Sequence, residues 1–271
     1  MVNSINTNAG SLLALQALSK TSEELRVSQH RITTGLKVNG PEDNPATFAI
    51  AQNMRGDIAG MNAVKTNLAI GQSITSVAID AGKAVADLLT QMKAKAVQGS
   101  QAGLDTSSYT ALNQEFTALR AQIESIVATA EFNGKNLINS AASNLSVLST
   151  VEGSTIVVTK QAIDATTLAV HTAALTDATV AATALTAVSQ AIITVSNALA
   201  SLGSGAKRVD IQADFTGKLQ DILKQGVGNL VDADLAEESA NLQALQIKQQ
   251  LGVQALAIAN AGPTSILALF R

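Results

Sequence analysis

Apolar residues recur along most of this chain at steps of three and four, the spacing that lines one face of an α-helix. Leu18, Leu25 and Ile32 repeat at sevens, as in one seam of a coiled coil, and the helix they predict stops at Thr33-Thr34-Gly35. A loop over 36–44 follows, with Gly40 and Pro41 in it. Asn44 is placed to cap the next helix and Pro45 to open it, where a missing N–H leaves nothing unpaired. From Pro45 the pattern continues to about Gly99, with Ile70, Ile74, Val77, Ala81, Val85, Leu88 and Met92 in step. That is about 80 Å of helix at about 1.5 Å per residue, which predicts an elongated rod and not a sphere. After a turn from Gly99 to Asp105, with Asp105, Thr106 or Ser107 able to cap the next element, Tyr109, Leu112, Phe116, Leu119, Ile123, Ile126 and Ala130 predict a helix folded back along its predecessor.

At Phe132-Asn133-Gly134 the period changes. Asn-Gly is a tight-turn pair, and β-branched residues flank Glu152-Gly153-Ser154, so a hairpin region is expected near 132–160. The Thr/Ala-rich stretch from Gln161 to Thr183 favours neither state in its first half. Helical rhythm then returns in Leu185, Val188, Ile192, Val195, Leu199, Leu202, Ala206 and Val209, and Phe215, Leu219 and Ile222 extend it in a shifted register. Leu202-Gly203-Ser204-Gly205 lacks the Lys of a phosphate loop and reads as a helix irregularity. Gly226 and Gly228 are expected to form a hinge. The fold class is therefore mainly α, an elongated antiparallel helical rod of coiled-coil type with a small β-hairpin region. Residues 1–44 and 229–271 are expected to pair as terminal helices, and 45–228 to form the rod.

The last stretch, from Asp234, has two apolar faces. Projected at about 100° per residue, Leu235, Leu242, Leu245, Val253 and Leu256 fall on one side and Ile247, Leu251 and Ile258 nearly opposite, with Gln243, Gln246, Gln250 and Gln254 between them. A helix wet on one side would not be built so. One partner covers one face, so the sequence predicts a terminus that packs against other copies or other proteins, with Leu18, Leu25 and Ile32 beside it. The candidate packing residues are these three with Leu235, Leu242, Leu245, Ile247, Leu251, Leu256 and Ile258.

Composition narrows the alternatives. Aromatic residues make up 2% of the 271 residues, and the 46% apolar content comes largely from Ala, Leu, Val and Ile, which suit close helix contact. A net charge of −3 with 14% charged residues offers no basic face for nucleic acid or acidic lipid. There is no Cys, hence no disulfide or thiolate metal site. The first residues lack the basic and apolar regions of an ordinary secretory signal, and no apolar run reaches the length of about 20 that spans a bilayer. His30 and His171 stand far apart without a ligating or orienting partner, so they read as structural or solvent-exposed, and Glu237 and Glu238 read as solvated or at an interface rim near a helix start. No catalytic, cofactor or metal site is expected. An enzyme or small-molecule binder would need convergent polar groups that the sequence does not supply.

Four motifs bear a resemblance to bacterial flagellin, the filament subunit of the flagellum. They are Ile5-Asn6-Thr7-Asn8; Arg31 to Asn39 with Glu42-Asp43-Asn44-Pro45-Ala46 and Ala49-Ile50-Ala51; Glu131 to Leu137; and Asp234 to Ser239 with Gln249 to Gly252, Ala259-Asn260-Ala261, Pro263 and Leu267 to Arg271. The resemblance covers about the first 140 and last 60 residues. It implies a structural subunit that self-assembles into the secreted, extracellular filament for swimming motility, with paired terminal helices lining the inner tube. It also implies a homopolymer with identical or related flagellins, and as partners the flagellar export apparatus, a carboxy-terminal export chaperone, the filament cap and the hook-junction proteins. A hook-filament junction protein of the same axial family is the alternative. The outer insertion of longer members is missing, which leaves the hairpin and the Thr/Ser-rich segment as the expected surface and a candidate for O-linked sugars. Members detected by the animal innate receptor carry two arginines and a glutamate where this chain has Leu89-Thr90-Gln91-Met92-Lys93-Ala94-Lys95, which weighs against receptor activation.

Overall fold

The computed structural model describes residues 7–267, with backbone only from 262 onward; Ile5 and Asn6 of the opening motif and Ala268 to Arg271 of the closing one lie outside the described residues. Five helices carry the fold: α1 (Ala9–Thr34), α2 (Pro45–Gly99), α3 (Thr106–Thr129), α4 (Ala178–Val231) and α5 (Leu235–Leu267). Two two-stranded antiparallel sheets lie between α3 and α4: β1 (Glu131–Phe132) with β2 (Lys135–Asn136), and β3 (Leu145–Leu148) with β4 (Thr155–Val158). The chain divides into two units. Asp57–Asp221 forms one, and the segments on either side of it form the other.

The helix boundaries follow the capping chemistry. Asn44 Oδ1 accepts from Thr47 N at 3.1 Å ahead of Pro45, and Asp105 Oδ1 accepts from Ser108 N at 2.8 Å ahead of α3. Gly35 closes α1 with φ 71°, and its N–H donates to Arg31 O at 2.8 Å. Asn133 and Gly134 both take positive φ in the β1–β2 turn, as a two-residue hairpin requires.

In the unit Asp57–Asp221 the helices run antiparallel. Gly82 of α2 meets Leu199 of α4, and Gln72 of α2 donates to Asp210 of α4 at 3.2 Å; Lys95 of α2 pairs with Glu115 of α3. The buried seam of α2 is Val64, Leu68, Gly71, Thr75, Ala78, Gly82, Val85, Leu89, Met92 and Ala96, an uninterrupted three-four alternation. It is rotated from the line of large residues read in the sequence: Ile70 is exposed, and two glycines and a threonine take seam positions.

The glycines are in the seam because side chains from elsewhere fill them. A Cβ at Gly71 would lie 2.6 Å from Val147 Cγ2 on β3, and one at Gly60 would lie 2.7 Å from Val151 in the β3–β4 turn. On α4, a Cβ at Gly205 would lie 2.8 Å from Val158 of β4. The hairpin is thus seated on both helices by three valines against three glycines. Gly71→Ala is expected to destabilise this unit by about 1–2 kcal/mol, because overpacking costs about 1–3 kcal/mol and alanine's helix propensity returns at most about 1. A shift in the denaturant midpoint measures it.

Two expectations fail in α4. The helix runs unbroken through Leu202-Gly203-Ser204-Gly205 and through Gly226 and Gly228, so neither an irregularity nor a hinge exists there. Gly226 makes room for Met54, whose Cε would sit 2.9 Å from an added Cβ, and Gly228 for Asp232 Oδ2 at 2.7 Å. Close approach, not flexibility, accounts for both. The break comes at Asp232–Asp234, where Asp234 Oδ1 accepts from Ala236 N at 2.9 Å and starts α5. The segment with no clear propensity is irregular up to Ala178. It folds as one turn under Asp164, passes through Ala169 at φ 56°, and is strapped by Arg120 Nη1 to His171 O at 2.6 Å and by Leu175 N to Asn113 Oδ1 at 2.9 Å.

Candidate assembly surface of the terminal helices

In the second unit α1 and α5 lie antiparallel along each other. Ser28 meets Glu238, Ser22 meets Gln249, Leu18 meets Gly252, and Asn8 Nδ2 donates to Ala259 O at 2.7 Å. The loop after α1 is tied to the end of α4: Lys37 and Val38 N–H both donate to Val231 O, at 2.7 and 3.2 Å, and Ala233 N donates to Gly35 O at 2.9 Å. Val38, Ala51, Val227 and Val231 are buried in this unit.

The packing residues expected from the sequence sort into two groups. Leu18, Leu25, Ile32, Leu242, Leu245 and Leu256 are wholly or partly buried in the seam between the two helices. Ile247, Leu251 and Ile258 stand on the far side of α5, exposed at 58%, 57% and 75%. Leu235 and Val253 belong with neither. They fall roughly 60° from the centre of the docked face and are exposed at its edge. Helix α1 adds Leu12, Leu13 and Leu15, all more than half exposed. Single exposed aliphatics are ordinary on protein surfaces, but runs of them on two adjacent helices mark an interaction surface.

One cluster of charge lies in the seam, and the sequence reading missed it. Glu238, read as solvated or at an interface rim, turns inward: Oε1 accepts from Arg31 Nη1 at 2.9 Å and Oε2 from Ser28 Oγ at 2.9 Å. Ser28 is buried, and the Arg31 and Glu238 side chains are 31% and 12% exposed. Burial opposes the charge on Glu238, but the hydrogen bonds from Arg31 and Ser28, with the charges of Arg31 and Lys37, outweigh it and hold the carboxyl below its usual range. Its contribution to stability is therefore full above the ordinary glutamate pKa and fades as pH falls through the lowered folded value. The signal in the sequence was position: at about 100° per residue Glu238 shares the face of Leu242 and Leu245, whereas Glu237 does not. Glu238→Gln is expected to loosen the α1–α5 pair by about 1–2 kcal/mol near neutral pH and to flatten its acid dependence below about pH 4.3. Amide hydrogen exchange in α5 across pH checks this.

Both histidines are exposed, and among the described residues no group of His, Cys, Asp or Glu is arranged to hold a metal ion. Two shallow grooves of about 350 and 370 Å³ flank Arg31, lined largely by charged side chains of both signs.

The model of the bacterial flagellin N-terminal helical region matches residues 5–143, and that of the C-terminal helical region matches residues 185–270. The chain belongs to the bacterial flagellin family. Flagellin FljK of Caulobacter vibrioides is 47% identical over 271 residues, covering all of this chain and 99% of that one. A flagellin of Brucella melitensis is 36% identical over 281 residues, covering 99% of each chain. Among solved structures, a Bacillus cereus flagellin aligns with a TM-score of 0.51 at 21% identity, over 55% of this chain and 88% of that one. A chain assigned as a flagellar hook-associated protein of Vibrio parahaemolyticus aligns with a TM-score of 0.58 at 14% identity, over 70% of this chain and all of that one, which shows a shared fold only. This flagellin is a structural, non-enzymatic subunit of the extracellular flagellar filament and serves motility by polymerising with flagellin subunits. No large insertion separates its two conserved regions.

Proposed function

We propose that this flagellin polymerises through the outer faces of its terminal helices. Ile247, Leu251 and Ile258 of α5, together with Leu12, Leu13 and Leu15 of α1, meet neighbouring subunits, while Leu18, Leu25, Ile32, Leu242, Leu245 and Leu256 close the pair within one subunit. The observation that carries the reading is the second apolar face of α5, left exposed after the first has docked on α1. Leu235 sits at the edge between the two. Residues 1–44 with 229–271 then form the inner part of the filament and 45–228 the surrounding part. The subunit leaves the cell through the flagellar export apparatus with a chaperone on its carboxy-terminal region, and meets cap and hook-junction proteins at the growing structure. O-linked sugars, where attached, fall on the hairpin and the Thr/Ser-rich segment.

A fragment of residues 45–228 tests the assignment. It is expected to remain helical and to stay monomeric when filament seeds are added, whereas the full chain sediments as fibres. Filament growth from the fragment would refute the assignment of assembly to the terminal helices.

A further inference from the structure

Helix α4 changes character near Val209. Before that point its buried line is apolar: Val188, Val195, Leu202 and Val209 recur at sevens, beside Ala184, Ala191, Ala198 and Gly205. The next members of the two series are Thr216 and Gln212, and Gln220 follows one turn on. Thr216 and Gln220 are buried, and Gln212 is partly so. All three are hydrogen-bonded: Gln212 Nε2 donates to Ser149 O at 2.9 Å, Thr216 Oγ1 to Gln212 O at 2.8 Å, and Gln220 Nε2 to Asn62 Oδ1 at 2.7 Å. The large apolar residues of the same stretch stand on the other side. Ile211 and Phe215, roughly 100–140° around the helix from the buried line, are 57% and 56% exposed. The shifted register read in the sequence is thus an inversion of polarity. A helix that packed only within its own subunit would hold the reverse arrangement, because an apolar side chain gains by leaving water and a polar one loses. Beside Phe215 lies a notch of about 110 Å³ walled by Met61, Val64, Val151, Phe215 and Leu219. Small-molecule pockets run to about 300 Å³ or more, so this one suits a single aliphatic side chain.

We infer that Ile211, Phe215 and this notch form a further assembly contact, separate from the terminal helices, and that its occupant is α2 of a neighbouring copy. The chain polymerises with flagellin subunits, and a growing filament needs contacts between unlike surfaces, because a patch that meets itself closes a dimer. The unlike surface is the outward row of α2. Ala59, Ala63, Thr66 and Ile70 recur there at steps of three and four, all exposed, and lie roughly 130° from the buried seam of that helix. The three short side chains let Phe215 and Ile211 lie close against the helix, and Ile70 supplies an aliphatic side chain for the notch. Charge agrees with this choice. Exposed Arg208 and Lys218 flank the stripe on α4, which a basic surface would repel, whereas no charged residue between 59 and 77 falls within about 60° of the α2 row. The contact is small against the roughly 800 Å² per partner of a stable interface, so it adds to the terminal helices and does not hold two copies together alone. It stands whichever face of α5 meets a neighbour.

Seeded growth of the purified full-length chain tests this, with no other protein present to be the occupant. Phe215→Asp is expected to raise the concentration needed for growth at least about tenfold, because a carboxylate is then covered in the filament. The melting temperature of the unpolymerised chain should stay within about 2 °C. Ile193→Asp, at a side chain 54% exposed on the same side of α4 but outside the contact, should change growth less than about twofold. The chain has no cysteine, so the occupant can be located as well. Filaments copolymerised from Lys218→Cys and Ala63→Cys chains and treated with a short bifunctional thiol reagent are expected to give joined pairs of one chain of each kind, and dilute unpolymerised chains to give none. Unimpaired growth of Phe215→Asp overturns the inference, as does an equal loss in Ile193→Asp. A melting temperature that falls together with growth overturns it too, because Phe215 would then serve the fold. Joined pairs of two Lys218→Cys chains, or no joined pairs in assembled filaments, overturn α2 as the occupant.

Discussion

Leu251→Asp is expected to abolish polymerisation while leaving the isolated subunit as stable as before. The side chain is 57% exposed on the side of α5 away from α1, so in the monomer the carboxylate stays in water and the change in stability lies within about 0.5 kcal/mol. On the proposed assembly the same position is covered by a neighbour in the filament, and burying an unpaired carboxylate costs several kcal/mol. Each 1.4 kcal/mol is about tenfold in association, so a cost of about 4 kcal/mol raises the concentration needed for growth by roughly a thousandfold. Leu242→Asp behaves differently. Leu242 is partly covered within the subunit, so its charge loosens α5 from α1 before any neighbour arrives and blocks assembly as well. Seeded sedimentation and electron microscopy report polymerisation, and hydrogen exchange in α5 separates the two variants. Normal filaments from Leu251→Asp would end the claim that the outer face is the contact.

Most of the helical framework can be read from periodicity and caps alone. Asn44-Pro45, Asp105 and Gly35 mark boundaries because each acts through its own backbone neighbours, within reach of a local argument. The two-faced character of α5 was equally legible, since it depends only on angles around one helix. What escaped was decided by partners distant in sequence. Gly71 and Gly205 lie buried because Val147 and Val158 fill the space a side chain would need, and without the hairpin in place both glycines read as weak points. Gly226 misled for the same reason, its space being taken by Met54 of α2, whereas Gly228 is crowded by Asp232, close in sequence. Glu238 escaped because its partners, Ser28 and Arg31, lie more than 200 residues away, and a charge near a helix start is usually wet. Angular position was the usable clue, and weighing a carboxylate by its face on the helix would have found it.

Phe116→Ala is expected to cost the unit Asp57–Asp221 about 3–5 kcal/mol, the usual range for deleting a buried ring. Phe116 is wholly buried on α3 and the largest fully buried side chain among the described residues, in a core otherwise built from Val, Leu, Ile, Met and Ala. Small neighbours on rigid helices collapse poorly into the vacated space: the α2 seam is fixed by its own backbone, and the hairpin valines already occupy their glycine sites. Losses therefore belong at the upper end of the range. At about 2–4 °C per kcal/mol for a domain of this size, the melting temperature falls by roughly 6 to 20 °C. Phe215 supplies the contrast. It occupies a helical apolar register in the sequence much as Phe116 does, yet it is 56% exposed on α4, so Phe215→Ala should stay within about 1 kcal/mol. Calorimetry of the two variants, each unpolymerised, decides the matter. Equal losses would mean that the core of this unit is not organised around α3, whereas a large gap would show that one aromatic side chain among many small ones carries a disproportionate share of its packing.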